Sequence, residues 1–203
     1  MSLTNIQIPV GKLELNTTYK VRVRYKGQEY GWSEWSEKEF TTSECVLFSN
    51  AANFTRSTIF CTAVGEDVIK VNDNMGVTPT DQNSSIQWGC SGTSTGADSD
   101  TDGASNTSTI LSNCSARPIA ASICADYGDG NWYLPAENQL WTLYQNRSNI
   151  NSASDANFVT TSYWSSTEHS ATDARGVSFL NGSQGTVNKT TTIRVRCVRS
   201  FGP

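Results

Sequence analysis

Trp132-Tyr133-Leu134-Pro135-Ala136-Glu137-Asn138-Gln139-Leu140, then Tyr163-Trp164-Ser165-Ser166-Thr167-Glu168, then Val195-Arg196-Cys197-Val198-Arg199, decide how this chain is read. The first block is a helix start. Proline has a fixed φ and no N–H, so Pro135 suits the first helical position. Glu137 falls in the first turn, where the helix dipole favours a negative charge. Leu140, Leu143 and Tyr144 then recur on one face to about Arg147. The later blocks predict short strands over residues 162–166, 174–180 and 190–199, with Asn181-Gly182-Ser183 as a hairpin turn. Upstream, residues 110–126 read as a helix interrupted by Pro118, with Ser105-Asn106-Thr107 as its cap. Two helices followed by short antiparallel strands predict an α+β fold.

Outward from these blocks the chain is polar but weakly charged. Its 203 residues are 36% apolar and 17% charged, with a net charge of −4. Nothing in that balance favours nucleic acid or an anionic membrane. No apolar run approaches the roughly 18 residues of a membrane span, so no membrane insertion is expected. Met1-Ser2-Leu3 opens without a signal-peptide pattern. Residues 80–109 are dense in Ser, Thr, Gly and Asp and read as one long loop. Six cysteines, Cys45, Cys61, Cys90, Cys114, Cys124 and Cys197, are an even set, as a disulfide framework requires. Zinc would need clustered ligands, yet there is no Cys-x-x-Cys and His169 is the only histidine.

Three regions follow: residues 1–43, a bridge over 44–60, and a larger domain over 61–203. In the first, Leu13, Leu15, Tyr19, Val21, Val23 and Tyr25 alternate as in a half-buried strand, and Gly31-Trp32-Ser33-Glu34-Trp35-Ser36 leads into Phe40-Thr41-Thr42. This stretch resembles the second half of a fibronectin type III domain. The resemblance implies a spacer in which the Trp rings stack on Arg22 and Arg24 by cation–π contact.

The three opening blocks, in their order, resemble a bacterial and phage family of surface domains, DUF1566, which includes the C-terminal domain of collagen-like adhesins. The resemblance implies a C-type-lectin-like head that shows a variable surface on a rigid frame. Cys124 and Cys197 stand at the family's cysteine positions, which implies a bridge between them; Cys90–Cys114 and Cys45–Cys61 follow on sequence proximity alone. In relatives the segment between the Trp-Ser-Ser block and the last strand carries the binding residues. By position these are Ser166, Glu168, His169, Asp173, Arg175, Asn181, Ser183, Gln184 and Asn188. The tryptophans and tyrosines of the recurrent blocks read as frame rather than as a sugar platform. Arg194 and Arg196 read as structural partners of Glu137 or Glu168. In a phage or bacterial protein the eight Asn-x-Ser/Thr sequons would carry no glycans.

Asp98-Ser99-Asp100-Thr101-Asp102-Gly103 has the oxygen spacing and the turn glycine of half a calcium loop. The twelfth position is Thr109, where a bidentate Glu belongs, so Ca2+ and a solvated acidic loop both remain open. Catalysis has little support. One histidine without a nucleophile motif makes no triad, no carboxylate pair is marked, and phosphate-binding glycine patterns are absent. Formylglycine-generating enzymes share a related fold, but the cysteines here fall in no matching motif. The expected function is non-enzymatic: a receptor-binding or adhesion tip, at a virion tail tip or cell surface, recognising a bacterial glycan or outer-membrane protein as a homotrimer. A polysaccharide-degrading head and a structural envelope module are the alternatives.

Overall fold

The computed structural model describes residues 18–24, 26–27, 31–41, 53, 56–59, 66–154 and 157–201. Their elements, in chain order, begin with strands β1 (Thr18–Val23), β2 (Lys26–Gly27), β3 (Gly31–Trp32), β4 (Ser36–Thr41), β5 (Arg56–Ile59), β6 (Glu66–Asn72), β7 (Met75–Val77) and β8 (Asn83–Gln87). Helices α1 (Gly103–Asn113), α2 (Ala120–Ala125), α3 (Glu137–Gln145) and α4 (Arg147–Ala153) follow. Strands β9 (Ser162–Glu168), β10 (Asp173–Ser178), β11 (Gln184–Asn188), β12 (Thr192–Val195) and β13 (Val198–Ser200) complete the set. The class is α+β, as the order of elements predicts.

A five-stranded sheet runs β11-β10-β9-β12-β8, and a four-stranded antiparallel sheet runs β13-β7-β6-β5. Strand β9 is the axis. Successive side chains on a strand point to opposite faces, and Tyr163 and Trp164 enter two different cores. Trp164 joins Trp88, Ile110, Cys114, Ile119, Trp132 and Val195 beside α1 and α2. Tyr163 joins Val77, Leu140, Leu143, Ile150, Phe158 and Phe179 beside α3 and α4. Each buried indole donates a hydrogen bond across the sheet, Trp164 Nε1 to the Ile86 carbonyl (2.8 Å) and Trp88 Nε1 to that of Ser165 (2.9 Å). Of the rings expected as frame, Trp132, Tyr133, Tyr163 and Trp164 are buried, while Trp141 is only half-buried.

Several boundaries differ from the sequence reading. Helix α1 begins at Gly103, because Asp102 caps it by accepting from the Ser105 N–H (2.9 Å). Asn106 and Thr107, read as cap residues, are buried inside the helix: Asn106 Nδ2 donates to the Ser99 carbonyl, and Thr107 Oγ1 accepts from Leu134 N. Pro135 lies two residues before α3, and its carbonyl accepts from Ser166 N (2.8 Å). Helix α4 has no counterpart in the sequence reading. The long polar loop contains β8 and the fully buried Trp88. The single strand expected over 190–199 is two strands in two sheets, β12 and β13, with Arg196 and Cys197 crossing between them. Cys197 is drawn to its disulfide and Arg196 to an ion pair described below.

In the N-terminal region, β1 pairs antiparallel with β4 from Thr18↔Thr41 to Val23↔Ser36. Arg24 sits 4.4 Å from the ring centroids of both Trp32 and Trp35. Arg22, expected to share that stack, instead bonds Glu37 across the strand pair (2.8 Å), the residue opposite it in register. Leu13, Leu15 and Tyr25 lie outside the described residues.

Candidate functional site

Most charged side chains near the expected site are committed internally. Lys189 is fully buried and holds Glu168 by an ion pair, donates to the Thr93 carbonyl (3.0 Å) and stands over the Trp88 ring (4.5 Å). Glu168 also accepts from Thr95 N (2.8 Å), Gly96 N (2.9 Å) and Ser94 Oγ (3.0 Å). Burial alone would raise the Glu168 carboxyl, but these donors, Lys189 foremost, outweigh it and hold it below the ordinary carboxylate range. Glu168 is therefore a strut for the 93–97 segment, not the loop-facing contact residue expected. Ser166 is withdrawn in the same way: it is fully buried, and its hydroxyl accepts from Asn106 Nδ2 (3.3 Å).

Asp81 is a second hub. It accepts from Arg196 Nε (2.7 Å), Arg194 Nη1 (2.9 Å) and the Tyr163 hydroxyl (2.9 Å). Burial first, and the Asp81 charge second, push the Tyr163 phenol well above its ordinary value. Arg194 and Arg196 are structural, as expected, but their partner is Asp81, not Glu137 or Glu168. No sequence spacing links residue 81 to residue 196, so this pairing is visible only in three dimensions. A third strut joins Arg199 to Asp129 (3.1 Å), both nearly inaccessible.

The remaining candidates fall into two groups at opposite ends of the β10–β11 hairpin. His169, Asp173 and Asn188 lie at one end, where Asp173 faces Asn188 in register. Asp173 accepts from Thr172 Oγ1 (2.6 Å) and Ser170 Oγ (3.2 Å), and the Thr172 bond first among these holds its carboxyl low. Asn181, Ser183 and Gln184 lie at the other end, roughly 17 Å away for five residues of strand. Arg175 sits between, 3.8 Å from Glu137. One continuous nine-residue site is thus not formed.

The tip end has a floor built from residues that the sequence reading took as frame or helix face. Trp141, Tyr144 and Arg147 recur at i, i+3 and i+6 on and just after α3. The two rings stack at 5.2 Å, and the Arg147 guanidinium lies 4.1 Å from the Tyr144 centroid. Gly182, at φ +78°, seats the tip on these rings; a Cβ there would collide with Tyr144. Leu180 beside it is 67% exposed.

Cys124–Cys197 and Cys90–Cys114 are both formed; Cys45 and Cys61 lie outside the described residues. Asp98, Asp100 and Asp102 do not converge. Asp102 is committed to capping α1, and among the described residues no group of three or more His, Cys, Asp or Glu could hold a metal ion. The donor set therefore does not fit calcium. Among the described residues no helix is long and apolar enough to cross a membrane.

Concavity is found elsewhere, on both sides of the Thr80–Gln82 segment. One groove of about 780 Å³ lies between that segment and α2; the other, about 480 Å³, is lined by Asn83, Ser84, Asn157, Val159 and Arg194.

Comparison with known proteins gives the following. A fimbrial protein from Bacteroides ovatus, known from a crystal structure, shows a likeness at 16% identity and a TM-score of 0.37, over 63% of this chain and 35% of that one. The chain thus spans about a third of that protein's length. No curated protein matches the sequence. Residues 77–199 match the Lcl C-terminal domain family, and this stretch holds β8 to β12, all four helices and both disulfides described above. Because that match covers more than half of the 203 residues, the chain belongs to the Lcl C-terminal domain family.

Proposed function

We propose that this protein is a non-enzymatic adhesion or receptor-binding module, displayed outside a cell or at a virion tail tip. Its C-terminal part would act as a lectin-like head and its N-terminal strands as a fibronectin-like spacer. The target would be a bacterial surface glycan or outer-membrane protein. One observation carries this reading: the buried charges are paired in internal struts, Lys189 with Glu168, Arg196 with Asp81 and Arg199 with Asp129, while neutral hydrogen-bonding side chains such as Asn181, Ser183, Gln184 and Asn188 stay exposed. A rigid frame with an adaptable, hydrogen-bonding exterior suits recognition. Shallow polar contacts give weak affinity per site, and a homotrimer would raise it by avidity.

The test is binding of the purified, fluorescently labelled chain to a panel of bacterial cells, with release of reducing sugar from their polysaccharide followed in parallel. Saturable binding without sugar release is expected. Sugar release would favour a degrading enzyme, and no binding to any surface would leave only a structural role.

A further inference from the structure

We infer that Trp141, seated beneath the β10–β11 hairpin tip, is the stacking platform for a pyranose ring of a surface glycan. This inference rests on the adhesion reading and deepens it, choosing a glycan over a protein as the target.

Trp141 departs from the role of the other indoles in the C-terminal region. Trp88, Trp132 and Trp164 are each at most 2% exposed, whereas Trp141 is half-buried. Trp88 and Trp164 donate their N–H groups to backbone carbonyls. The Trp141 N–H makes no hydrogen bond among the described residues and is not sealed from solvent, so it is available to a ligand oxygen. The Tyr144 hydroxyl beside it is uncommitted in the same way.

The ring is also held in place before any ligand arrives. One face stacks on Tyr144, with 5.2 Å between centroids and 23° between planes. Gly182 packs against the Cζ3 corner of the indole, where a Cβ would come within 2.8 Å. Cζ3 lies on the six-membered ring, away from Nε1, so the tip leaves the N–H end clear. Tyr144 is itself fixed by an edge contact with buried Phe179 (5.6 Å) and by the Arg147 guanidinium. Among the described residues no ring or cation covers the second face of Trp141. A platform fixed in advance loses little ordering entropy on binding.

The shape and chemistry of the platform select the ligand class. An indole face is flat and apolar with a negative centre, and the C–H face of a pyranose matches it. The hydroxyls of a ring laid there project sideways and need both donors and acceptors. Exposed Asn181, Ser183 and Gln184 at the tip carry amide and hydroxyl groups of both kinds. A protein partner anchors differently, by inserting side chains into pockets, and Trp141 lines neither groove beside Thr80–Gln82. Arg147 keeps its positive charge while its Nη1 donates to the Tyr144 carbonyl (2.8 Å). The class is therefore set by the ring face, not by charge, and neutral and carboxylated sugars both fall within it.

The experiment uses a bacterial strain that binds the labelled full chain. Its cells are treated either with periodate, which cleaves vicinal diols and opens the pyranose ring, or with protease. Protein-free oligosaccharides released from the same cells are titrated into the isotope-labelled full chain and followed by NMR. Periodate should abolish binding and protease should spare it. The oligosaccharides should shift the Trp141 indole N–H, assigned by its loss in Trp141→Phe, and the Gly182 amide. Trp141→Leu keeps apolar bulk without a ring face and should weaken affinity about tenfold; Trp141→Phe should weaken it less. The titration of the unaltered chain needs neither variant, so it decides the matter even if one of them folds poorly. Binding lost to protease but not to periodate would place the target among proteins and overturn the inference while the adhesion reading stands. So would shifts that leave the Trp141 indole unmoved, or an affinity unchanged in a folded Trp141→Leu. A panel of strains with no binding at all would instead remove the adhesion reading, and this inference with it.

Discussion

The N-terminal strand pair and the C-terminal region both use ion pairs, but to different effect. Between β1 and β4, Lys20 bridges Glu37 and Glu39, and Arg22 reaches Glu37, with every partner at least 38% exposed. In the C-terminal region Lys189–Glu168 and Arg199–Asp129 are 5% exposed or less. Water screens the first set, so each pair contributes at most about 1 kcal/mol. The second set is costly to break, because a lost partner leaves a charge stranded in the interior. The buried pairs also join segments far apart in sequence, residue 168 to 189 and 129 to 199, the first of them beside the Asn188 end of the hairpin. The contrast is between charge used as a surface register and charge used as internal framing.

The largest expected effect is a reference point outside that contrast. Trp164→Ala removes a fully buried ring from the core beside α1 and should cost about 3–5 kcal/mol, read as a shifted urea midpoint. Lys189→Met should approach the same loss, about 3–5 kcal/mol, because Glu168 stays buried with its charge. Adding Glu168→Gln should restore part of it. A coupling energy below about 0.5 kcal/mol in that double-mutant cycle would mean that the two residues do not act as a unit.

Acid sharpens the same comparison. Glu168 and Asp129 both titrate below the ordinary carboxylate range in the folded protein. Burial opposes this in each case, and their hydrogen-bond and cationic partners prevail. A lowered folded value means stability that is fully present above the unfolded value, about pH 4, and is lost as pH falls through the folded one. Glu137 runs the other way: burial, aided by Asp100, raises its carboxyl against the pull of Arg175, so its protonation slightly favours the folded state. The melting temperature should therefore be flat near neutrality and fall below about pH 4, with a shallower fall in Glu168→Gln. An equal slope in that variant would remove Glu168 from the account. The smallest effect belongs to the exposed set: Arg22→Ala should change stability by less than about 1 kcal/mol, and a larger loss would erase the distinction between the two regions.

How far the sequence could be read follows from the range of each interaction. Helix α3, strands β9 and β10, the turn at Gly182 and the inward rings of Tyr163 and Trp164 rest on local patterning, and they are found close to where it puts them. The pairing of Cys124 with Cys197 was legible only through the family resemblance, since spacing does not choose among six cysteines. Glu168 looked like a loop contact because its neighbours are small and polar. Its burial depends on Lys189 and the 93–97 segment, which no local pattern connects to it. The splitting of the last strand and the Asp81 hub are likewise products of tertiary packing. Trp141 and Tyr144 were legible as frame and helix face, but their stacking with Arg147 beneath Gly182 depends on where the hairpin tip lands.

On the proposed adhesion reading, the buried charges frame the molecule and neutral exposed groups carry recognition of the target. The most direct test is the salt dependence of binding to a responsive bacterial strain, measured from about 0.05 to about 0.5 M NaCl, a range over which screening shortens from more than 10 Å to a few ångströms. The account predicts a dissociation constant that changes less than about threefold, together with an unchanged melting temperature. A fall in affinity of tenfold or more across that range would show that exposed charge carries the recognition, and would contradict it.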